Sequence, residues 1–491
     1  MTRVFIGLMI VLGGSSACTD RIGRLFVNVT RSSGASEDPF DGIAAFVRLR
    51  VDGPFGRSGP TTFRLAEERG ALTDLEPGAG QVLTVEGLGP EENTVSRGRS
   101  SPLLIAGGDN ALNLFVARLD RFSQTPKEGW LAAEGMSVGR AFHRAVDGHG
   151  MRLLLVGGVT QPWRPTEPNQ PLEATSLVDD LDANGMLFAE RDCQAVGKCL
   201  AQPLILHEIA WLPSGNALII GGVAQPQSGA LSPTSQTTIY SATEDSFFAG
   251  PELKAARYAH AVAVWQDGVA IVGGIGADGR STSLVELFVD GEIRNLPRLS
   301  QPRRNPTLTV LNDGRLWAVG GSDDGGAPLA TTEFLAPGSA RWAAGPVLGQ
   351  ARARHRTLST ADGVFVVGGL GAGGIPVTAI ERLNPDTDTL TDVGKLKLGR
   401  WGHTVSDLGD GRVMVVGGFT GSAGGSPTPT VEFLSGLFGQ QVQVLTGPRM
   451  RRARGGHTTN LLRPGVLVVI GGVTQDAQGS RVVGDAEVFT Y

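Results

Sequence analysis

The sequence is poor in charge, and it lacks the short patterns of several enzyme classes. Charged residues make up 19% of its 491 residues, below the usual ~25%, which argues against a coiled coil or charged tails. The formal net charge of −5 offers no basic footprint, so nucleic acid is not an expected partner. G-x-S-x-G, H-E-x-x-H and Walker-type patterns are missing. The sequence therefore assigns no catalytic residue, metal or cofactor.

Glycine is the residue that the chain has in excess. With 71 glycines and 28 prolines, the two together make about 20%, short of the ~25–30% that marks disordered low complexity. An apolar share of 41% is enough for packed cores. At about 150 residues per domain, this length predicts three units, or one small domain followed by a large repeat array.

The amino terminus is predicted to be an export signal over residues 1–17. Arg3 precedes an apolar segment, 4–12, and small residues lead to Cys18. That segment is too short for a bilayer span, which needs about 20 residues. The arrangement resembles a bacterial lipoprotein signal with Cys18 lipidated, although Ser15 departs from the family's usual leucine. We expect an exported protein anchored at the outer membrane of a bacterial envelope, with its leaflet open; cleavage by the ordinary secretory peptidase, giving a soluble exported protein, is the alternative.

The chain has three cysteines. Cys193 and Cys199 lie close in sequence and are predicted to form a disulfide in an oxidising compartment, which leaves Cys18 single and consistent with lipidation. The pair falls in 161–200, a segment predicted as a long loop. Such a loop serves binding or is a tolerated surface insertion.

Residues 18–119 show no repeat and are predicted to form a small antiparallel β-sandwich, Ig-like or transthyretin-like, of the kind that often acts as a spacer. Residues 120–129 are predicted as the following linker. The expected strands are 25–30, 44–51, 62–65, 82–86, 103–106 and 112–119.

A repeat of about 50 residues fills the rest of the chain, which indicates a stacked supersecondary unit. Its marker is an apolar run that ends in Gly-Gly. The consecutive apolar positions predict a strand buried on both faces. The seven doublets begin at Gly157, Gly221, Gly273, Gly320, Gly368, Gly417 and Gly471.

Three further residue types keep phase with the doublet. Thr307 replaces the histidine in one unit, and Leu204 replaces the arginine in another. The histidines are His143, His207, His260, His355, His403 and His457. The arginines are Arg140, Arg257, Arg304, Arg352, Arg400 and Arg454. The glutamates are Glu286, Glu333, Glu381, Glu432 and Glu487.

Together these features resemble the kelch repeat, in which Gly-Gly closes the second strand and Arg-x-x-His leads into the next unit. The segment NPDTDTL at 384–390 looks like the family's turn before its tryptophan. The resemblance implies an all-β fold with a seven-bladed β-propeller of four-stranded blades over 120–491. Because the chain stops on the third strand of the last blade, residues about 127–136, with Trp130, are predicted to supply the missing strand and close the ring.

The phased side chains have two interpretations. A ring of arginines near the mouth of the channel is able to bind carboxylates or sulfates bidentately, so the six arginines are candidate ligand-binding residues. Pairing with the phased glutamates gives the same periodicity for structural reasons. The histidines, one per blade, are expected to be local structural residues and not a metal cluster.

The leading functional interpretation is a non-enzymatic, monomeric module that binds or scaffolds a protein or a glycan. The alternative is a carbohydrate-active enzyme, similar to the sialic-acid isomerases on this fold, and a third is a structural envelope protein. Copper oxidase chemistry of the galactose oxidase type is disfavoured. Such a site needs tyrosine and histidine ligands and a tyrosine–cysteine crosslink, whereas this chain has three tyrosines and its two cysteines outside the signal are predicted to pair with each other. An enzyme predicts non-repeating polar residues that converge in a concave mouth, whereas a scaffold predicts a broad face of long loops.

Overall fold

The computed structural model is all-β. The only helical segment among the described residues is a single 3-10 turn at Ala372–Gly374. No helix in this part of the chain is long and apolar enough to cross a membrane. The structure describes residues 8–11, 23–30, 39–40, 44–53, 56–57, 61–64, 78–105, 108–125, 136–147, 152–161, 173–225, 231–361, 363–422, 424–476 and 479–491.

An amino-terminal unit contains two sheets. The first has Gly23–Thr30 in the middle, antiparallel to Leu8–Val11 and parallel to Gly108–Phe115. The second consists of Ala117–Arg118, Thr94–Arg99, Gly78–Leu88, Phe46–Gly53 and Gly56–Arg57 in that order, with Thr61–Arg64 on Phe46–Gly53 and Leu103–Ile105 on Gly78–Leu88.

Both sheets of this unit contribute to one apolar core. Val27 and Leu114 come from the first sheet, and Leu49 and Val85 come from the second. The strands predicted from alternation are present with shifted ends. Two features differ from the prediction: Thr94–Arg99 was not expected, and one strand pair is parallel. Alternation reveals a strand's buried face but not the direction of its partner, so an all-antiparallel arrangement did not follow from it.

The described residues from 121 onward form seven four-stranded antiparallel sheets, which we number 1–7 along the chain, and a few shorter pairings. Sheet 1 contains Arg144–Asp147, Arg152–Val156, Val178–Asp182 and Phe188–Glu190; sheet 2 contains Glu208–Trp211, Ala217–Ile220, Thr237–Ser241 and Ser246–Ala249; sheet 3 contains Ala261–Trp265, Gly268–Val272, Val285–Val289 and Glu292–Asn295; sheet 4 contains Thr307–Val310, Leu316–Val319, Thr332–Leu335 and Ala343–Ala344; sheet 5 contains Arg356–Thr360, Gly363–Val367, Ala379–Asn384 and Thr389–Lys395; sheet 6 contains Thr404–Asp407, Val413–Val416, Val431–Ser435 and Gln443–Thr446; sheet 7 contains Thr458–Arg463, Val466–Ile470, Ala486–Thr490 and Arg121–Gln124.

Short two- and three-stranded pairings form in the connections that follow the second strands and in those that lead into the first strands. They involve Leu204–Ile205, Val223–Ala224 and Ser232–Pro233; Arg257–Tyr258 and Ile275–Gly276; Phe419–Thr420 and Ser426–Pro427; and Val473–Asp476 and Gly479–Val482.

The second strand of each sheet is buried along all or nearly all of its length. Every residue of Gly268–Val272, of Val413–Val416 and of Val466–Ile470 is buried. A strand with apolar side chains on both faces needs a sheet packed against each face. The cores that contain these strands mix residues of neighbouring sheets, such as Val272 with Leu316. Each sheet is therefore held by its neighbours.

The first strands of the seven sheets contact one another in a cyclic order. Each contacts the first strand of the following sheet along the chain, and Thr458–Arg463 of sheet 7 also contacts Arg144–Asp147 of sheet 1. Hydrogen bonds repeat this order: Gly418 donates to the Arg454 carbonyl, and Gly472 donates to the Arg140 carbonyl.

The strand that completes sheet 7 comes from the amino-terminal side of the array, but earlier than predicted. Arg121–Gln124 pairs antiparallel with Ala486–Thr490, so part of the predicted linker is a strand, and the expected range of about 127–136 is wrong. The phase of Trp130 relative to Arg140 suggested that range, and Trp130 lies outside the described residues. The structure places Phe122 against Phe489 instead, with ring centroids 5.4 Å apart.

The amino-terminal unit packs on sheets 1 and 7. Phe115 and Ala117 share a core with Leu153 and Val488. The Asn184 side chain accepts a hydrogen bond from the Ser101 amide at 2.7 Å. The unit predicted as a spacer is thus docked beside the closing strand Arg121–Gln124.

Candidate functional site

The glycine doublets mark a close approach between neighbouring sheets. Gly368 of sheet 5 has φ +62°, and a Cβ there would lie 2.7 Å from the His403 ring and 2.8 Å from the Arg400 carbonyl of sheet 6. The same contact joins Gly471 of sheet 7 to His143 of sheet 1. Glycine is required here both for its left-handed backbone and for the missing side chain.

The six phased histidines lie at the start of the first strands and are buried. Nε2 of His143 is 3.0 Å from the hydroxyl of Thr458, and that of His355 is 2.9 Å from the hydroxyl of Thr307, each on a neighbouring sheet. Burial lowers the pKa of His260 to about 3, so its ring is neutral at ordinary pH. Among the described residues, no group of three or more histidine, cysteine, aspartate or glutamate side chains is placed to hold a metal.

Five of the six arginines predicted as candidate ligand contacts are fully buried. Each forms an ion pair with a carboxylate of the third strand in its own sheet. Their guanidinium groups also donate to carbonyls, as Arg400 does to Gly417 and Thr430 at 2.9 Å each. The pairs are Arg140–Asp179, Arg257–Glu286, Arg352–Glu381, Arg400–Glu432 and Arg454–Glu487.

These five side chains have no surface left for a ligand. The prediction that they form a ligand-binding ring is therefore wrong. The structural alternative, pairing of each arginine with a carboxylate, accounts for their periodicity. Burial, with a further effect of the positive charge of Arg298, lowers the pKa of Arg257 to about 10, so the site disfavours the charged form of the guanidinium. The carboxylate is therefore required to keep such a guanidinium inside the protein.

The sixth arginine, Arg304, is not the buried member of its unit. Arg303 takes that position and pairs with Glu333 at 2.6 Å. Arg304 is partly exposed and donates to the Asp324 carbonyl. The prediction was one residue late, and for the same reason Pro306, not Thr307, occupies the histidine position against Gly321.

Sheets 1 and 2 show why the pattern is weaker at the start of the repeat. In sheet 1 the partner of Arg140 is Asp179, which was missed because it is an aspartate and lies farther from its doublet. In sheet 2, Leu204 replaces the arginine, and Thr238 occupies the register of Glu286. Both members of the charge pair are thus missing there, so no buried charge is left alone.

Cys193 and Cys199 lie at disulfide distance, with Cα atoms 5.1 Å apart. The turn between them is fixed to sheet 2, because the Phe247 amide donates to the Gly197 carbonyl at 2.6 Å. The surrounding segment 161–200 is not one long loop as predicted, since it holds the third and fourth strands of sheet 1.

Hydrogen bonds tie the same turn to the outer edge of sheet 2. Arg191 donates to the Lys198 carbonyl at 3.1 Å and also pairs with Asp245. Burial opposes the charge of Asp245, but hydrogen bonds from Tyr240, Arg191 and Arg152 lower its pKa to about 2. The turn between Cys193 and Cys199 is therefore held against the outer strand of sheet 2 by hydrogen bonds.

The residues directly after the histidine position form a layer in the middle of the cyclic array. Each pairs with the residue that precedes the Gly-Gly doublet of its sheet. They come from seven first strands and are not repeated in type. The layer consists of Arg144, Glu208, Ala261, Thr307, Arg356, Thr404 and Thr458.

An apolar pocket of about 320 Å³ lies beside this layer, at the doublet end of sheets 1–3. It is lined by Phe142 and Leu206, which immediately precede histidines, by Tyr258, which lies two residues before His260, and by Val159 and Val223. The positive φ of Phe142 and Leu206 is part of the sharp turn that leads into each first strand. No sequence signal predicted this pocket.

Comparisons with known proteins add little. No protein-family model matches the chain, and no curated protein matches it. Among solved structures, a chain described as "Structure of YjhT" is similar at 12% sequence identity and a TM-score of 0.49, over 63% of this chain and 99% of that one.

Proposed function

We propose that residues 121–491 form a seven-bladed propeller of the kelch type that acts as a non-catalytic binding module, with a β-sandwich docked on its closing blade. The observation that carries this proposal is the cyclic order of contacts between the first strands of seven four-stranded sheets. A closed ring of blades presents two opposite faces formed by connections.

The doublet end of the array is the better candidate for a binding face. In an antiparallel sheet, the connection from the second to the third strand and the one into the next sheet lie at the same end. Connections at this end are long, as in 221–236 of sheet 2. Hairpins at the opposite end are short, as in 266–267 of sheet 3. Ile375 and Val347 expose 69% and 65% of their surface at the doublet end, which suits a protein or glycan partner.

Binding is favoured over catalysis by the state of the charged residues. The phased arginines and glutamates neutralise one another inside the sheets, so they are not free to act as an acid–base set. Glu208 is held bidentately by Arg144, with one bond at 3.0 Å. Both oxygens of this carboxylate are therefore already engaged by a guanidinium.

Export with a lipid anchor at Cys18 completes the proposal, and it places the binding face outside the cytoplasm of a bacterium. Cys18 lies outside the described residues, so support comes from the sequence pattern alone. Metabolic labelling with a palmitate analogue is expected to mark the wild-type protein and not Cys18→Ser; equal labelling of both would remove the anchor from the proposal.

Surface variants at the two ends of the array test the binding function. We expect the Cys18→Ser chain to bind specific partners, detected on a glycan array or by photo-crosslinking from position 347 at the same end of the array. Ile375→Asp should abolish that signal. Phe438→Asp is the matched control, because Phe438 is 85% exposed in a hairpin at the opposite end. Chemical turnover of a bound glycan would instead support the carbohydrate-active enzyme.

A further inference from the structure

The layer that contains Arg144, Glu208 and Arg356 carries an unbalanced charge. Two of its seven members are arginines and one is a glutamate, so the layer has one positive charge in excess. The remaining members are alanine or threonine. Both arginines and the glutamate are only partly exposed, so bulk water screens this charge incompletely.

Arg144 and Glu208 satisfy each other. Nε of Arg144 donates to Glu208 at 3.0 Å, and Nη2 donates to the second carboxylate oxygen. Burial disfavours the charged form of Arg144, but the attraction of Glu208 outweighs it and raises the pKa of the guanidinium. Nη1 of Arg144 has no hydrogen-bond partner among the residues that the structure describes.

Arg356 is the cation that lacks a carboxylate. Its Nε donates to the His403 carbonyl at 3.0 Å, and its two terminal nitrogens have no partner within the described ranges. Burial lowers the pKa of Arg356, and the positive charge of Arg144 lowers it further, against a smaller opposing effect of Glu208. Sheets 1, 2 and 5 thus act on one another electrostatically across the middle of the array.

The periodic arginines provide an internal comparison. Arg303, Arg352 and Arg400 each have a carboxylate in direct contact. Where sheet 2 lacks the carboxylate, it also lacks the arginine. The periodic buried arginines are thus paired with anions, whereas Arg356 of the layer has no carboxylate in direct contact among the described residues.

We propose that the middle of the array is a binding site for a small monocarboxylate, held by the terminal nitrogens of Arg356 and by Nη1 of Arg144. The planar fork of a guanidinium matches the two oxygens of a carboxylate. A single excess positive charge matches a monoanion, and a dianionic phosphate would meet the negative charge of Glu208. This inference depends on the proposed closed array but not on a partner at its outer face.

The site lies at the same end of the array as the apolar pocket lined by Phe142 and Leu206. These two residues are separated from Arg144 and Glu208 by a single histidine in the chain. A carboxylate that carries a small apolar group would contact both the arginines of the layer and the apolar pocket. The excess positive charge of the layer favours the carboxylate, and the pocket favours the apolar group.

Acetate is the minimal probe, because it contains the recognised group and little else. We expect saturation-transfer NMR of the acetate methyl group to show saturable binding to the full chain carrying Cys18→Ser. Acetamide, which is neutral and of similar size, should show none. Arg356→Gln should weaken acetate binding by at least roughly tenfold, the loss of charge-assisted hydrogen bonds. Arg304→Gln, which removes a partly exposed arginine outside the layer, should leave it unchanged.

Glu208→Gln provides a test of opposite sign. It removes the competing anion and frees Arg144, so acetate should bind several-fold more tightly. Equal binding of acetate and acetamide, or weaker acetate binding to folded Glu208→Gln protein, would overturn the proposal. If Arg356→Gln does not fold, as judged by circular dichroism, Glu208→Gln decides the matter. Loss of acetate binding with retained partner binding at the doublet end would reject this site alone.

Discussion

Individual residues show which part of the repeat is structural. Each paired arginine connects a first strand to the third strand of the same sheet through its carboxylate partner, and its own carbonyl accepts a bond from the preceding sheet's second glycine. The periodicity of arginine and glutamate could be read from the sequence. The sequence could not show whether these arginines and glutamates pair with each other or line the mouth of a channel. Spacing fixes the position of a residue along a strand but not the partner that it contacts.

The error at Arg304 has a specific cause in hairpin length. In sheets 3 and 5 the first two strands are joined by two residues, as at 266–267, and the histidine lies 13 residues before the doublet. In sheet 4 the Leu311 amide bonds back to the Arg315 carbonyl, so the hairpin has one more residue and the count becomes 14. The segment LNDGRL at 311–316 resembles LGDGRV at 408–413, where the count is also 14, and that signal could have identified Arg303.

Adjacent arginines therefore offer a matched test of the buried pair. Arg303→Met should lower the free energy of unfolding by about 3–5 kcal/mol, because Glu333 is left buried without its partner. Arg304→Met should change it by less than about 1 kcal/mol, since that side chain is partly exposed. Urea denaturation of the two variants measures the difference. A larger loss in Arg304→Met would mean that the original phase was correct and the register of sheet 4 is not.

At the scale of the strand, the histidines connect six of the seven first strands to the sheet before them. Their rings lie on the first glycine of the neighbouring doublet, as His457 lies on Gly417. Sequence phase predicted one such histidine per unit and a local structural role, and the contacts with threonine hydroxyls agree with that role. The identity of the contacting glycine depends on how sheets stack, which no local pattern records.

Acid should therefore weaken the contacts between sheets. Burial lowers the pKa values of His207, His260 and His457 to about 3, whereas the unfolded values are near 6.5. Between these limits the unfolded chain binds more protons than the folded chain. The stability is thus fully present above pH 6.5 and is lost progressively as the pH falls towards 3.

Removal of one histidine should flatten this dependence. In His260→Gln, the slope of unfolding free energy against pH between 6.5 and 4.5 should fall by up to about 1.4 kcal/mol per pH unit. Asp245→Asn is the control, because a carboxylate with a pKa of about 2 does not titrate in that range. A slope in His260→Gln equal to that of the wild type would show that this histidine takes up its proton in the folded protein.

At the scale of the whole molecule, the main feature is the pairing of Arg121–Gln124, before the first sheet, with Ala486–Thr490 of the last sheet. Seven doublets predicted seven units, and the described part of the chain contains seven four-stranded sheets. The sequence also predicted that a strand from the amino-terminal side of the array completes the last sheet, as Arg121–Gln124 does. Its position was not predicted, since Arg121–Gln124 has no phased marker and precedes the next phased arginine, Arg140 of sheet 1, by a longer distance than other fourth strands precede theirs. Long-range pairing of this kind is decided by which apolar strand fits, as Phe122 fits against Phe489 and Phe433.

A crosslink across this junction tests the closed arrangement directly. Ser123 lies opposite Val488 in the register of sheet 7, and antiparallel neighbours are close enough for a disulfide. We expect the Ser123→Cys, Val488→Cys variant, with Cys18→Ser, to form this bond on oxidation. The bond closes nearly the whole repeat array into one loop, so it should raise the free energy of unfolding by several kcal/mol in the chain-entropy model.

The matched control pairs Ser123→Cys with Thr446→Cys on the outer strand of sheet 6, which is not a hydrogen-bonded neighbour of Arg121–Gln124. Crosslinking in the control but not at position 488 would mean that the chain does not close through this strand.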